Sequence, residues 1–128
     1  MNKIKKFIWT SLFTVYSGLI FYGSIYPVQQ GGVSFIVPGL DKIIHAGEFF
    51  VFTLIGYKTF SYYMENKGRR VRLISTSLFY GGLTEFSQLF FPYRTASWLD
   101  FLANLFGIVA GLMAMLIIEK YKTNVKKA

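Results

Sequence analysis

Five polar side chains that could bind or react with a ligand lie in an otherwise apolar part of this sequence, residues 82–104. Carboxylates can act as general bases, and an arginine can hold a phosphate group through two parallel hydrogen bonds. Ionisable groups are costly in an apolar environment, so their presence here predicts a functional cluster. The five residues are Glu85, Gln88, Arg94, Asp100 and Asn104.

A second polar group precedes them in the chain. Asp41, His45 and Glu48 follow an i, i+4, i+7 pattern, which places them on one face of a helix, and Lys42 adds a positive charge. For Asp41 and Lys42 a plain helix start at an interface is an equal alternative. That alternative does not suit Glu85, which lies two turns inside an apolar stretch.

The composition is that of a chain surrounded mostly by lipid. Of the 128 residues, 53% are hydrophobic, 20% aromatic and only 16% charged. A soluble domain of this size has a large surface for its volume and needs more polar residues to cover it. The length favours one domain, residues 1–128. The lack of cysteine excludes disulfides and cysteine-ligated zinc.

Four stretches are apolar and long enough to cross a bilayer, which takes roughly 20 residues per helix. None shows the alternation expected of strands, and a membrane barrel needs far more segments. We therefore predict an all-α bundle of four transmembrane helices, at about 7–26, 41–62, 73–92 and 98–118. We expect the first of them to be kept as a span, because its apolar run is too long for a signal peptide.

The net charge of +8 is explained by the distribution of lysine and arginine. If all four segments cross, three basic clusters lie on one side and only Lys42 and Arg94 on the other, which predicts that both termini are cytoplasmic. No recognisable nucleic-acid-binding module accompanies the charge, so we expect no nucleic acid partner. The clusters are Lys3, Lys5 and Lys6; Lys67, Arg69, Arg70 and Arg72; and Lys120, Lys122, Lys126 and Lys127.

The connections predicted between the spans place every candidate residue at the outer ends of the helices. We expect an external loop at 27–40, a basic cytoplasmic turn at 63–72 and a short external turn at 92–98, with Pro92 ending the third helix. The short turn makes the third and fourth helices antiparallel neighbours. The polar side chains then meet on the order of 10 Å inside the outer boundary.

The fourth helix carries a stripe that is polar at its outer end and small further in. Asp100, Asn104, Gly107 and Gly111 lie on one face, and the two glycines form a G-x-x-x-G motif that permits close helix approach. This pattern predicts that the stripe faces the inside of the bundle.

Four strings together resemble the VanZ-like family, over roughly residues 41–115. They are D-K-x-x-H at 41–45, E-x-x-Q at 85–88, P-x-R at 92–94 and D-x-x-x-N-x-x-G-x-x-x-G at 100–111. Glu48 fits a common variant of the pattern and is not a family-wide requirement. The resemblance implies a small bacterial integral membrane protein of the cell envelope. It also implies a link to teicoplanin-type glycopeptide resistance, because the name-giving member lowers sensitivity to those antibiotics. It supplies no reaction.

The favoured hypothesis is an outer-leaflet pocket that binds or modifies a lipid-linked headgroup, such as a phospholipid or a cell-wall precursor. Glu85, His45 and Asp100 are the candidate catalytic residues: Glu85 as a general base, His45 to shuttle protons or orient Glu48, and Asp100 to position substrate or balance Arg94. The candidate substrate-binding residues are Arg94, Lys42, Asp41, Glu48, Gln88 and Asn104.

Two alternatives remain open. We expect no cofactor, but His45, Glu48, Glu85 and Asp100 could hold a divalent metal that accepts carboxylates. Alternatively, the polar groups form a structural network in a non-enzymatic protein that acts through partners or small-solute passage. The basic loop 67–72 is expected to touch anionic lipid. The sequence does not indicate an oligomeric state.

Overall fold

The structure is a computed structural model that describes residues 2–26 and 39–127. Within these ranges the chain is all-helical and contains no strand, so the predicted all-α class is confirmed. The predicted external loop lies mostly outside the described residues, which omit 27–38. The four helices are α1 (Asn2–Ile25), α2 (Leu40–Phe60), α3 (Asn66–Gln88) and α4 (Trp98–Lys127).

Two of the described helices, α1 and α4, are long and apolar enough to cross a membrane. The other two have no comparably long apolar stretch. α2 begins with Asp41 and Lys42, and the first two turns of α3 hold four basic residues. Length and hydropathy alone therefore support two spans among the described helices.

Two predicted turns differ from the observed structure. The basic segment 63–72 was expected to be a turn, but α3 begins at Asn66, so most of this segment is helical. Lysine and arginine are good helix formers, and their charge does not end a helix. The third helix was expected to reach Pro92 but ends at Gln88. After it, the N–H groups of Phe90 and Phe91 bond three residues back, at 3.2 Å each.

Gly39, the residue just before α2, has a backbone conformation that favours glycine. Its φ of 82° lies in the left-handed region, where a side chain would meet the following carbonyl. The carbonyl of Gly39 accepts the first helical hydrogen bonds, from the N–H groups of Lys42 and Ile43. The conformation of Gly39 therefore sets the position of the polar first turns of α2.

The α2–α4 pair has the most extensive contact between helices, and the glycine stripe of α4 makes it possible. A Cβ placed on Gly107 would lie 2.1 Å from the Ala46 carbonyl oxygen. One placed on Gly111 would lie 2.9 Å from the Phe50 carbonyl oxygen. The backbones therefore touch directly, and the stripe faces inward as predicted.

An aromatic layer joins α1, α2 and α3. The rings of Phe52 and Tyr80 stack at 5.1 Å between centroids, and Phe13 packs on Phe52 at 4.8 Å. Phe49, Ile20 and Ile108 complete this core, and Phe49 and Phe52 are almost wholly buried. α1 is therefore packed into the same fold as the other three helices.

A second polar cluster lies at the opposite end of the bundle from the candidate residues. Arg69 is buried and donates to Glu119 Oε1 at 2.7 Å and to the Tyr57 hydroxyl at 3.2 Å. Its guanidinium also lies over the Tyr57 ring, 4.4 Å from the centroid. Arg69 was expected to contact anionic lipid with the rest of the basic segment. The structure instead places its side chain inside, where it ties α2, α3 and α4 together.

Candidate functional site

The candidate site forms where the first turns of α2 and α4 meet the last turns of α3. We define it as Asp41, Lys42, His45, Glu48, Glu85, Arg94, Asp100 and Asn104. Helix periodicity explains the grouping, because residues three, four and seven positions apart share a face. The loop 89–97 between α3 and α4 adds Arg94 and the backbone of Ser97.

Asp100 is the residue that joins α4 to α2. Lys42 Nζ donates to Asp100 Oδ1 and also to Asp41 Oδ2, the latter at 2.6 Å. His45 Nε2 lies 4.0 Å from Asp100 Oδ2. The Asp100 side chain is only 11% exposed, whereas that of Lys42 is 33% exposed. The ammonium group is therefore held by a buried carboxylate and still reaches the surface.

His45 lies between two carboxylates. Its Nδ1 atom is 4.0 Å from Glu48 Oε2, on the side away from Asp100. At this distance neither contact is a hydrogen bond. His45 is thus placed where a proton could pass between Asp100 and Glu48 after small side-chain movements.

Glu85 is the most enclosed of the candidate acids that lack a cation. Counting backbone and side chain together, Glu85 is 8% exposed. Oε1 accepts a hydrogen bond from Asn104 Nδ2 at 3.3 Å, and Oε2 accepts one from the Ser97 N–H at 3.4 Å. Among the described residues no basic group lies within 4.0 Å of its carboxylate. The carboxylate is therefore oriented from two sides but not neutralised by direct pairing.

Arg94 and Asn104 retain buried polar atoms without a partner. Arg94 donates through Nη2 to the Gly23 carbonyl of α1, whereas its Nε has no hydrogen-bond partner among the described residues. The same holds for Asn104 Oδ1, although Asn104 is fully buried. Buried polar atoms are nearly always bonded, so these atoms are suited to contact a ligand or ordered water.

Gln88 lies one turn beyond Glu85 and faces α1. Its amide nitrogen donates to the Ser24 carbonyl at 3.2 Å, and the residue is 2% exposed. This bond holds α3 against α1. The substrate-binding role of Gln88 stays a prediction, because the structure gives it no hydrogen bond to the candidate site as defined here.

The sequence reasoning missed the part that α1 plays. The Tyr16 hydroxyl donates to the Glu48 carbonyl at 3.2 Å, and the carbonyls of Gly23 and Ser24 accept from Arg94 and Gln88. One signal could have been found in advance: Tyr16, Ile20 and Ser24 recur every four residues and mark one face of α1. The contacts made by the backbone carbonyls of Gly23 and Ser24 have no comparable signal in the sequence.

The described residues contain no group of three His, Asp or Glu side chains arranged to hold a metal ion. His45 and Asp100 are adjacent, but Lys42 occupies the other oxygen of Asp100. The metal alternative therefore stays a hypothesis that would require these side chains to rearrange.

Chemically, the site combines an arginine whose Nε has no partner among the described residues, an ammonium group that reaches the surface and a histidine between two carboxylates. Cations with spare donors suit a phosphate or carboxylate group. The oriented Glu85 carboxylate suits acceptance of a proton from a bound hydroxyl or water.

Comparison with known proteins assigns the family. The family model for VanZ/LLP1 matches residues 2–119, which includes α1 and so extends beyond the 41–115 of the motif resemblance. An uncharacterised protein of the fission yeast Schizosaccharomyces pombe is 32% identical over 84 residues, which are 66% of this chain and 51% of the relative. The chain thus spans about half the length of that relative. No solved structure matches the chain. Since the family model covers nearly all of its length, the chain belongs to the VanZ/LLP1 family.

Proposed function

We propose that this protein is a multi-pass protein of the bacterial cell membrane whose candidate site faces outward and binds or modifies a lipid-linked headgroup. In this proposal it contributes to teicoplanin-type glycopeptide resistance. The observation that carries it is the convergence of three helices and a loop on a charged site whose Arg94 Nε and Asn104 Oδ1 lack protein partners in the described chain.

The positions of the basic residues support this orientation. The N-terminal part of α1 lies at the Arg69 end of the bundle, because Thr59 donates to the Trp9 carbonyl at 3.0 Å and Lys6 lies over the Tyr63 ring. The last turns of α4 lie at the same end through Glu119. All three basic clusters are therefore grouped at the end opposite the candidate site, as the positive-inside rule requires of four crossing helices.

A phosphate-bearing lipid fits the site better than an uncharged one. Arg94 Nε is a donor without a hydrogen-bond partner among the described residues, and Lys42, in the same site, reaches the surface. The relative in a fission yeast favours a headgroup found in many membranes, such as that of a phospholipid, over one confined to the bacterial cell wall. The shared chemistry of both sources is a phosphate ester on a hydrocarbon chain.

If the protein modifies its ligand, the candidate residues have separate roles. Arg94 and Lys42 would hold the phosphate, and Glu85 would take a proton from an attacking hydroxyl or water. As the attacking oxygen bonds to phosphorus and the bond from phosphorus to the leaving oxygen breaks, His45, which lies between Asp100 and Glu48, would give a proton to that leaving oxygen. If the protein only binds, the same residues would retain the headgroup and no proton would move.

Resistance to teicoplanin tests the proposal. We expect Glu85→Gln and Arg94→Gln to lower the minimum inhibitory concentration to that of cells without the protein, because the first removes the proton acceptor and the second removes the cation that holds the phosphate. Loss of one charged hydrogen-bond partner weakens binding by about 10- to 100-fold. The measurement is the inhibitory concentration in a sensitive Gram-positive host, alongside the amount of protein in the membrane.

Glu65→Gln is the matched control, since Glu65 is exposed at the start of α3, outside the site. It should keep full resistance. Full resistance in the Arg94 variant would refute the phosphate-holding role. A variant that fails to accumulate would instead support a structural network.

Passage of a small solute is a second candidate, because polar groups continue through the interior. Ser77 and Thr53 are fully buried between the candidate site and the Arg69 cluster, and Ser77 Oγ has no hydrogen-bond partner among the described residues. Leu73, also fully buried, interrupts this path. A flux assay in vesicles with Leu73→Ser would be the direct test, with increased flux expected if a path exists.

At the other end, we propose that anionic lipid binds an exposed groove along the start of α3. The groove has a volume of about 710 Å³ and carries two basic side chains, Lys67 and Arg72, with the hydroxyls of Ser75 and Thr76. Basic residues near a membrane surface attract anionic lipid by about 1 kcal/mol each. Unlike Arg69, both cations are exposed and have no ion-pair partner among the described residues.

Removing both charges should reduce stabilisation by anionic lipid. We expect phosphatidylglycerol to raise the melting temperature of the purified protein more than phosphatidylcholine does, and Lys67→Gln with Arg72→Gln to remove about half of that difference. The control is Lys126→Gln with Lys127→Gln, which removes the same charge from the exposed end of α4. Equal losses in both double variants would mean a diffuse charge effect and no defined groove.

A further inference from the structure

An apolar groove runs along the seam between α3 and α4, on the outside of the bundle. Its volume is about 330 Å³, and it is lined by Leu78, Phe79, Gly82, Leu83, Phe86 and Phe101. Every lining residue is apolar. Gly82 gives the groove its depth, because a Cβ placed there would meet no atom within 4 Å.

The groove adjoins the candidate site. Two of its lining residues are direct chain neighbours of site residues: Phe86 follows Glu85, and Phe101 follows Asp100. A helix turns about 100° per residue, so Glu85 lies about 60° around α3 from Gly82. The carboxylate therefore lies at the edge of the face that forms the groove.

The long axis of the groove also follows the path that the hydrocarbon chain of a bound lipid would take. From Phe86 to Leu78 it extends about 12 Å along α3, at about 1.5 Å per residue, away from the candidate site and toward the middle of the bundle. In the orientation proposed above, a lipid with its headgroup at Arg94 and Lys42 would run its hydrocarbon chain in this direction.

We infer that this groove holds the hydrocarbon chain of the lipid whose headgroup occupies the candidate site, so that the ligand is a membrane-resident amphiphile selected through both of its ends. The inference rests on the proposed headgroup function and adds the chain-binding half. The apolar lining contacts the chain by close packing, which is the main source of specificity where the surrounding lipid is equally apolar.

A hydrocarbon chain suits this groove better than a helix from a second copy does. An α-helix with side chains is about 10 Å across, so it would lie over the groove and could not enter it. The exposed rings of Phe79 and Phe86 would also hold a helix away from Gly82. A single chain is narrow enough to lie against the glycine between the rings.

The test compares two phosphatidic acids that share a headgroup, one with palmitoyl chains and one with butanoyl chains, bound to the full-length protein in detergent. We expect Gly82→Leu, which fills the groove, to weaken binding of the long-chain lipid by about tenfold and to leave the short-chain lipid unchanged. Gly18→Leu is the matched control, because Gly18 is on α1 and also has open space at its Cβ position. It should change neither affinity. Arg94→Gln should weaken both lipids.

A second measurement does not depend on a variant. A phosphatidic acid with a diazirine midway along one chain, in phosphatidylcholine vesicles containing the wild-type protein, should label α3 between 78 and 86 and α4 near Phe101. Uniform labelling of all four helices would mean ordinary surrounding lipid and would overturn the inference.

The two proposals fail in different ways. If Gly82→Leu binds both lipids like the wild type while Arg94→Gln binds neither, the groove is refuted and the headgroup site stands. If the wild type binds neither lipid, or Arg94→Gln has no effect, the headgroup proposal fails and the groove assignment fails with it. A change in oligomer size in Gly82→Leu without a change in lipid binding would assign the groove to a second copy.

Discussion

Gly107→Ala is expected to destabilise the protein strongly, although alanine is the better helix former. Replacing a helical glycine with alanine ordinarily stabilises a helix by about 1 kcal/mol. Here the new Cβ would lie 2.1 Å from the Ala46 carbonyl oxygen and 2.9 Å from the Phe50 nitrogen. Both are backbone atoms of α2, so no side chain can rotate away and the helices must separate.

We expect a loss of about 3 kcal/mol, at the upper end of the range for overpacked cores. A loss of that size would lower the melting temperature by about 10 °C. Thermal unfolding of the purified protein in detergent measures it. Gly111→Ala should act in the same direction but more weakly, since its closest contact is 2.9 Å.

Gly82→Ala is the matched control for this prediction. Gly82 is also inside a helix but has no atom within 4 Å of a Cβ position, so the variant should be as stable as the wild type or slightly more stable. If Gly107→Ala were equally well tolerated, α2 and α4 would not be in backbone contact. The placement of Asp100 beside Lys42 would then be in doubt as well.

Helix periodicity explains why so much of the candidate site could be predicted. Asp41, His45 and Glu48 must share a face if α2 is a helix, and Asp100 must lie on the same stripe as Gly107. An inward stripe of small residues then brings Asp100 next to α2. This spacing rule grouped His45 with Asp41 and Glu48, but it did not predict that Lys42, which lies off that stripe, would pair with Asp100.

Contacts through the backbone could not be predicted in the same way. Arg94 and Gln88 bond to the carbonyls of Gly23 and Ser24, and every residue carries a carbonyl. Arg69 and Glu119 are fifty residues apart, and a general excess of basic residues gave no reason to separate Arg69 from its neighbours. These long-range pairs depend on the helix arrangement, which a single sequence does not specify.

The hydrophobicity of the sequence also gave a poor indication of where helices end at the charged end of the bundle. A predicted span ends where hydrophobicity ends, but α4 continues for nine residues beyond 118 through a lysine-rich segment. Intrahelical hydrogen bonds do not require apolar side chains, so the helix can extend past the lipid into water. A predicted span therefore marks the apolar part of a helix and not its full length.

A double variant that removes both charges of the Lys42–Asp100 pair can distinguish a structural network from a functional site. Asp100→Leu alone would leave Lys42 with only Asp41 and is expected to cost about 2 kcal/mol. That is below the 3–5 kcal/mol for a fully buried pair, because the Lys42 side chain is a third exposed. Lys42→Met with Asp100→Leu leaves no unpaired partner, and such replacements are often neutral or stabilising.

The two hypotheses then predict opposite results for the double variant. If the pair only holds α2 to α4, Lys42→Met with Asp100→Leu should restore both the melting temperature and teicoplanin resistance. If the pair belongs to a site that binds a headgroup, stability should return while resistance stays at the level of cells without the protein. Lys42 would no longer offer a cation, and His45 would have lost the carboxylate beside its Nε2 atom. We expect the second result, because three helices and a loop bring several charged side chains together here, and Arg94 Nε and Asn104 Oδ1 have no hydrogen-bond partner among the described residues.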